Sequence, residues 1–194
     1  MTRVIAGIAR GRRLVVPPGR GTRPTSDRAR EGLFGTVEAV LRPLRGARVL
    51  DLYAGSGAVG LEALSRGAAH ALLVESAPAA VRVIRANIAA LDLPGACVVA
   101  DRVEWLLARG PGCRADGSSR ARYDFAFADP PYLIGGDEVT AMLGALVGWL
   151  ADGALVTVER RTGGPPLTWP SGYIADRVRR YGDATLWYGL AAGG

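Results

Sequence analysis

The sequence predicts an α/β protein, a doubly wound and mostly parallel sheet with helices on both faces and a β-hairpin ahead of it. Two patterns carry that prediction. From residue 46 onward, strand-length apolar runs at 48–53, 71–75, 96–100, 123–128 and 153–158 alternate with helix-like stretches near 57–67, 77–91, 102–109 and 137–150. Alternation of this kind requires crossovers that bury a parallel sheet on both sides. Ahead of it, residues 3–8 and 14–16 read as short strands around the basic turn Arg10-Gly11-Arg12-Arg13, stopped by Pro17-Pro18.

The elements follow in order. A Gly/Pro/Arg-rich connector runs to Pro24, after which Thr25 or Ser26 can cap a helix with the apolar face Leu33, Phe34, Val37, Val40 and Leu41, ending near Pro43. Neither cap has a Glu or Gln three residues on, so the capping box is incomplete. The chain closes with strands at 174–181 and 184–190 around Gly182-Asp183. Segments 109–122 and 162–172 read as loops. The expected organisation is a basic hairpin arm over residues 1–20 and one domain over 21–194.

The charge is concentrated at one end. All 24 basic residues are arginine, and residues 1–30 hold eight of them against the single acid Asp27, a net +7, whereas the other 164 residues sum to −1. Such asymmetry points to a polyanion-binding arm, with Arg3, Arg10, Arg12, Arg13, Arg20 and Arg23 as candidate nucleic-acid contacts. No run approaches the ~18 apolar residues of a membrane span, and the first residues lack a signal-peptide core. A cytoplasmic monomer with no obligate protein partner is the expectation. Cys97, expected in a buried strand, and Cys113, in a Gly/Ser-rich loop, have no metal or redox spacing, so no metal is expected. His70, at a strand start, needs no catalytic role.

The run Asp51-Leu52-Tyr53-Ala54-Gly55-Ser56-Gly57-Ala58-Val59-Gly60 places a Gly-x-Gly-x-x-Gly loop between a strand and a helix. Its glycines let a ligand approach the backbone beside free helix N–H groups. Glu75 ends the next strand, where it can accept from ribose hydroxyls. The loop alone leaves NAD and S-adenosylmethionine both open. Asp51 favours the second, because an acid there is unfavourable beside phosphates and favourable beside a cationic aminoacyl group. Asp101, after the third strand, can accept from an adenine amino group.

The buried strand ending at Ala128 runs directly into Asp129-Pro130-Pro131-Tyr132. Two prolines make a rigid strand-ending turn, but rigidity alone explains neither the acid before them nor the tyrosine after them. An exocyclic amine on a nucleobase is a poor nucleophile because its lone pair is delocalised into the ring. Asp129 and the Pro130 carbonyl can hold its two N–H hydrogens and turn the lone pair toward a donor methyl, while Tyr132 stacks on the base. The base must be unpaired or flipped out. Whether the released proton goes to Asp129 or to water stays open.

With both loops in place the chain resembles the class I S-adenosylmethionine-dependent methyltransferases. More narrowly it resembles the RsmD family of 16S rRNA guanine-N2 methyltransferases, which act on guanine 966. The resemblance spans Arg10-Gly11-Arg12-Arg13-Leu14, Arg23-Pro24-Thr25-Ser26-Asp27-Arg28, the glycine loop, Glu75, Asp101 and the tetrapeptide. It implies a Rossmann-like, seven-stranded sheet with an antiparallel last strand, S-adenosyl-L-methionine as cofactor, and 16S rRNA or the small-subunit particle as partner. It also implies that Gly55, Gly57 and Glu75 hold the methionine and ribose parts and that Asp101, Arg102 and Val103 line the adenine. Tyr53 and Ser76 join these cofactor contacts, and the stretch around Thr25 closes over the site.

Four other readings compete. A DNA or RNA adenine-N6 amino-methyltransferase shares the tetrapeptide, but there is no separate target-recognition domain. An NAD oxidoreductase leaves the tetrapeptide unexplained, and a small-molecule methyltransferase does not need the arm. A non-catalytic RNA-binding assembly factor gives no reason for donor and acceptor sites together.

Overall fold

A computed structural model describes residues 2–17, 26–41, 43–111 and 122–193. The arm contributes β1 (Thr2–Arg3) and β2 (Arg13–Leu14), followed by α1 (Asp27–Val40). Then come β3 (Arg48–Leu52), α2 (Ala58–Ser65), β4 (His70–Glu75), α3 (Pro78–Leu91), β5 (Ala96–Ala100), α4 (Val103–Ala108) and β6 (Tyr123–Ala128). Helix α5 (Gly136–Leu146) passes through a 3-10 turn into β7 (Leu150–Arg161), and β8 (Tyr173–Tyr181) and β9 (Ala184–Ala191) close the chain.

Strands β3 to β9 form one seven-stranded sheet in the order β5-β4-β3-β6-β7-β9-β8, in which only β9 runs against its neighbours, and β1 pairs with β2 apart from it. The expected doubly wound sheet with an antiparallel last strand is therefore present. Its central strands are buried on both faces. Val49, Leu73, Phe125 and Leu155 pack with α1, α2 and α3, and Leu50, Val74, Ala126 and Val156 pack with α4 and α5. β7 begins three residues earlier than its apolar run, because the register with β6 shifts between Tyr123 and Phe125. Cys97 is exposed, contrary to expectation, because β5 is an edge strand whose residues are only partly covered.

Helix α1 starts where Ser26 accepts a hydrogen bond from the Ala29 amide at 3.1 Å. It buries Leu33, Phe34 and Val37, one face at helical spacing. Its Gly32 lies against the last hairpin, where an added Cβ would sit 2.1 Å from the Tyr181 hydroxyl. Arg30, one of the eight arginines counted in residues 1–30, is fully buried and bonds the Arg3 carbonyl and Asp27 at 2.7 Å each.

The arm departs from the sequence expectation. Its strands are two residues each, pairing Thr2 with Leu14 and Arg3 with Arg13, whereas the pattern suggested strands over 3–8 and 14–16. The amides of Ile5 and Ala6 donate to the buried Glu62 carboxylate at 2.7 and 2.9 Å instead of to a second strand. Ile8 and Ala9 donate to the backbone and hydroxyl oxygens of Ser65. Gly7 makes this docking possible: its φ is +82°, and a Cβ there would lie 1.8 Å from the Ser65 carbonyl oxygen. Val4, Ala9 and Leu14 join the core that holds α1 and α2.

Candidate active site

The chain leaves β3 toward β4 and β5 on one side and leaves β6 toward β7 on the other, so the switch point lies between β3 and β6. Ligands of doubly wound sheets bind at the carboxyl ends of such strands. A cavity of about 300 Å³ opens there, lined by Asp51, Tyr53, Gly55, Ser56, Glu75, Ser76, Asp129, Pro130, Pro131 and Tyr132 among others. A second cavity of about 150 Å³ shares Tyr53, Glu75, Ser76 and Pro131 with it and adds Asp101, Arg102, Val103, Glu104 and Ile134. The sequence-predicted donor and acceptor residues thus meet in one cleft.

The loop after β3 is held in an unusual path. Tyr53 adopts φ 59°, a conformation that costs a non-glycine residue on the order of 1 kcal/mol, and its hydroxyl donates to Glu104 at 2.9 Å. Gly55 follows at φ +57°, with nothing nearer than 4.0 Å to a Cβ placed there. Its open side leaves the room a ligand needs. Gly57 does not line the cavity. It caps α2 at φ +78° and backs onto Leu73, 2.8 Å from an added Cβ.

Asp51 is buried beneath this loop and accepts from the Gly60 amide at 2.8 Å. Burial raises its carboxyl to about 7, the Gly60 bond opposes that rise, and Glu75 adds to it. A carboxyl so placed ionises readily when a cation enters the cavity. Glu75 binds the Gly55 amide at 2.9 Å with one oxygen and the Ala77 amide at 2.8 Å with the other. Each oxygen keeps a lone pair for a hydroxyl donor. Around the second cavity, Asp101 pairs with Arg109 at 2.6 Å and takes the Arg102 amide at 2.8 Å. The Arg102 guanidinium lies 5.3 Å over the Trp105 ring, and Val103 is buried.

Asp129 leaves β6 with its amide directed at the Leu52 carbonyl, 3.4 Å away. Pro130 is buried, and Tyr132 is 52% exposed at the mouth. The turn closes through an Ile134 amide bond to the Pro131 carbonyl at 2.9 Å. Arg160 clamps its far end by donating to the Ile134 carbonyl at 2.8 Å. Burial holds the Asp129 carboxyl well above the usual carboxylate range, Glu159 and Asp51 push it further, and Arg160 opposes them.

The arm's arginines stand apart from the cavity. Arg3, Arg10 and Arg13 are exposed, while Arg12 caps the carboxyl end of α3 through the Leu91 and Ala90 carbonyls. Thr25, Arg20 and Arg23 lie outside the described residues. Pro17, at the arm's exit, lines the cavity.

Sequence reasoning missed three residues that build the site. Asn87 donates to the carbonyls of Val15 and Ser56 at 2.9 Å each and accepts the Val15 amide, tying arm, glycine loop and α3 together. It occupies a position on the apolar stripe of α3 with Ile84 and Leu91, which was the available signal. Glu62, a lone acid in an otherwise buried apolar helix, was similarly visible. Glu159 follows the apolar run of β7 and carried no such mark, whereas Arg160 beside it stood out in the sequence as a contact to either substrate or solvent, with the choice open.

Sheet order, switch-point cleft and strand-end acids together define the architecture of a class I methyltransferase. The family model described as conserved hypothetical protein 95 matches residues 2–189. The chain is 42% identical over 158 residues to ribosomal RNA small subunit methyltransferase D of Escherichia coli K12, covering 81% of this chain and 73% of that one. It belongs to the RsmD family. The solved structure of yhhF from Escherichia coli superposes with a TM-score of 0.80 at 36% identity, covering 100% and 99% of the two chains. The Thermus thermophilus 16S rRNA N2 G1207 methyltransferase RsmC, solved with AdoMet and guanosine, shares the fold at TM-score 0.61 and 21% identity, over 86% of this chain and 43% of that one.

Proposed function

We propose that this protein transfers a methyl group from S-adenosyl-L-methionine to the exocyclic N2 amine of a guanine in 16S rRNA, guanine 966, leaving S-adenosyl-L-homocysteine. The observation that carries the reading is that Asp51, Glu75 and Asp129 line one cavity. A donor seat and an amine acceptor placed apart would leave the tetrapeptide without a task. Identity with relatives named ribosomal RNA small subunit methyltransferase D supports the substrate class.

When bound, the cofactor supplies a methyl group already activated on a sulfonium. The protein's part is placement. Asp51 faces the aminoacyl cation, Glu75 accepts from the ribose hydroxyls, and Asp101 with Val103 borders the adenine. Asp129 and the Pro130 carbonyl accept the two amine hydrogens, and Tyr132 stacks on the base. The surroundings that raise the Asp129 carboxyl make its ionised form a stronger base, able to take the proton the amine loses. Arg3, Arg10 and Arg13 of the arm contact RNA phosphates, and Arg12 holds the arm in place.

Incubation with methyl-labelled cofactor and separate pools of 16S rRNA, small-subunit particles and DNA tests the proposal, with products resolved as nucleosides. Label in N2-methylguanosine from either RNA pool is the expected result. Label in N6-methyladenosine, or in DNA alone, overturns it, as does absence of transfer to every pool.

A further inference from the structure

Strand β8 is unusual for its exposure: every residue from Ile174 to Arg180 is open to solvent. It runs antiparallel to β9, which runs antiparallel to β7, so β8 is parallel to β7. Its carboxyl end, Arg179-Arg180-Tyr181, therefore lies at the rim that carries the tetrapeptide. The registers align Arg161 with Ala184 and Tyr181, and Glu159 with Leu186 and Arg179. Directly opposed residues share a face. Leu186 and Tyr181 pack in the core beneath α1, so Arg161 and Arg179 stand on the α1 side of the sheet, the side of Asp51 and Asp129. Arg180, one residue on, turns to the other face at the same rim.

Among the described residues, no hydrogen bond or ion pair ties these three side chains to the fold. Arg161, Arg179 and Arg180 are exposed and form no ion pair with a described acid, whereas Arg177 is held by Asp176 at 2.7 Å. One exposed acid, Asp183, sits in the adjoining turn, which leaves the three cations in excess. From Asp129 the Arg179 position is three inter-strand spacings away, roughly 14 Å. The arm stands on the opposite side of the acceptor, bound to α2 and α3 through Glu62, Ser65 and Asn87. A base seated at Asp129 thus has the β8 cations on one side, while the arm's basic turn docks at the carboxyl ends of α2 and α3, toward the opposite rim of the sheet.

We propose that Arg161, Arg179 and Arg180 form a second phosphate-contact surface, which grips the RNA backbone on the side of the target nucleotide opposite the arm. The occupant is a nucleic-acid backbone and not a protein face, because the surface offers spaced guanidinium groups on a solvent-open strand. This rests on the RNA-modifying function proposed above. With the arm alone, the RNA backbone would be held away from the rim where the base enters, leaving an extruded nucleotide free to swing. With the β8 surface added, the phosphates beside the extruded nucleotide are held at the rim where the base enters.

The test compares the full chain, the triple variant Arg161→Ala/Arg179→Ala/Arg180→Ala and the arm variant Arg10→Ala/Arg13→Ala. Binding of a 16S rRNA transcript is measured across a salt series, alongside S-adenosylhomocysteine affinity. Each phosphate contact to a single strand contributes about 0.7 to the log–log salt slope. The triple variant is expected to flatten the slope by about 2 and leave S-adenosylhomocysteine binding unchanged. A slope equal to the parent's in the triple variant, with the arm variant flattened, overturns this proposal alone. A parent that shows neither salt-dependent RNA binding nor methyl transfer overturns the proposed function and this surface with it. Should the triple variant fail to fold, Arg180→Glu on the open edge strand replaces it: weakened RNA binding sustains the proposal and parental binding refutes it.

Discussion

Asp129 and Glu159 leave adjacent parallel strands side by side, since Ala128 of β6 stands directly opposite Val158 of β7. Glu159 is only 3% exposed. Two carboxyl groups so placed resist joint ionisation, and burial, Glu159 and Asp51 together hold Asp129 protonated beyond the usual carboxylate range, against the Arg160 charge.

If transfer needs ionised Asp129, the acid limb of the pH–rate profile lies above the ordinary carboxylate value. Glu159→Gln then moves that limb to lower pH, because one neighbouring negative charge is gone. Single-turnover rates across pH, with cofactor affinity as the control, check this. A limb that stays in place removes Glu159 from any part in setting Asp129.

Asp51 gives a linked stability prediction. Its carboxyl is raised from 3.8 to about 7, so the folded state binds this proton more tightly than the unfolded chain does. Stability from this group is complete below pH 3.8 and is lost as pH rises to about 7. Asp51→Asn avoids that loss while retaining an acceptor for Gly60. Cofactor-free protein should gain stability at neutral pH, with a ceiling of about 4 kcal/mol, and the gain should vanish in acid. Cofactor affinity should fall in the same variant. Melting curves across pH and calorimetric titration read the two effects separately.

Asn87→Ala should weaken cofactor binding although the side chain does not line the cavity. It strands the Val15 amide and carbonyl and the Ser56 carbonyl, at a cost of about 2–3 kcal/mol. Denaturant unfolding measures the destabilisation. Unchanged cofactor affinity in folded protein would show that the glycine loop holds its path without this tie.

Glu62→Ala should release the arm. Two amides and the Arg66 guanidinium lose their acceptor, a loss of about 3 kcal/mol. Limited proteolysis should then cut near the Gly7 turn, which the parent protects. Glu62→Gln keeps an acceptor oxygen and should be cut less.

The sheet was legible because β3 and β6 are buried on both faces and read as strand-length, mostly apolar runs, interrupted only by Asp51 and Asp124 beyond the first residue of each. Asp51, Glu75, Asp101 and Asp129 were legible because strand-end acids in a doubly wound sheet fall at one rim whatever the loops do. The arm misled because Val4, Ala6 and Ile8 alternate as in a strand, yet the backbone groups of Ile5, Ala6 and Ala9 find their partners in the Glu62 and Ser65 side chains of α2, some 56–59 residues away. No local pattern encodes an amide whose acceptor comes from a distant helix. Arg12 looked like its neighbours in a basic run, and only the position of the α3 terminus separates a capping guanidinium from an open one. Glu159 gained its meaning from the strand register, which appears only when β6 and β7 are laid together.

Pro17 forms part of the cavity wall only two residues beyond Val15, which Asn87 fastens to the glycine loop. Displacing the arm therefore reshapes the cofactor's enclosure, and filling the enclosure stiffens the arm. Thermodynamic reciprocity fixes the consequence: whatever factor one occupant adds to the other's affinity is returned in equal measure. The route by which the ternary complex assembles can change its speed but not its final stability.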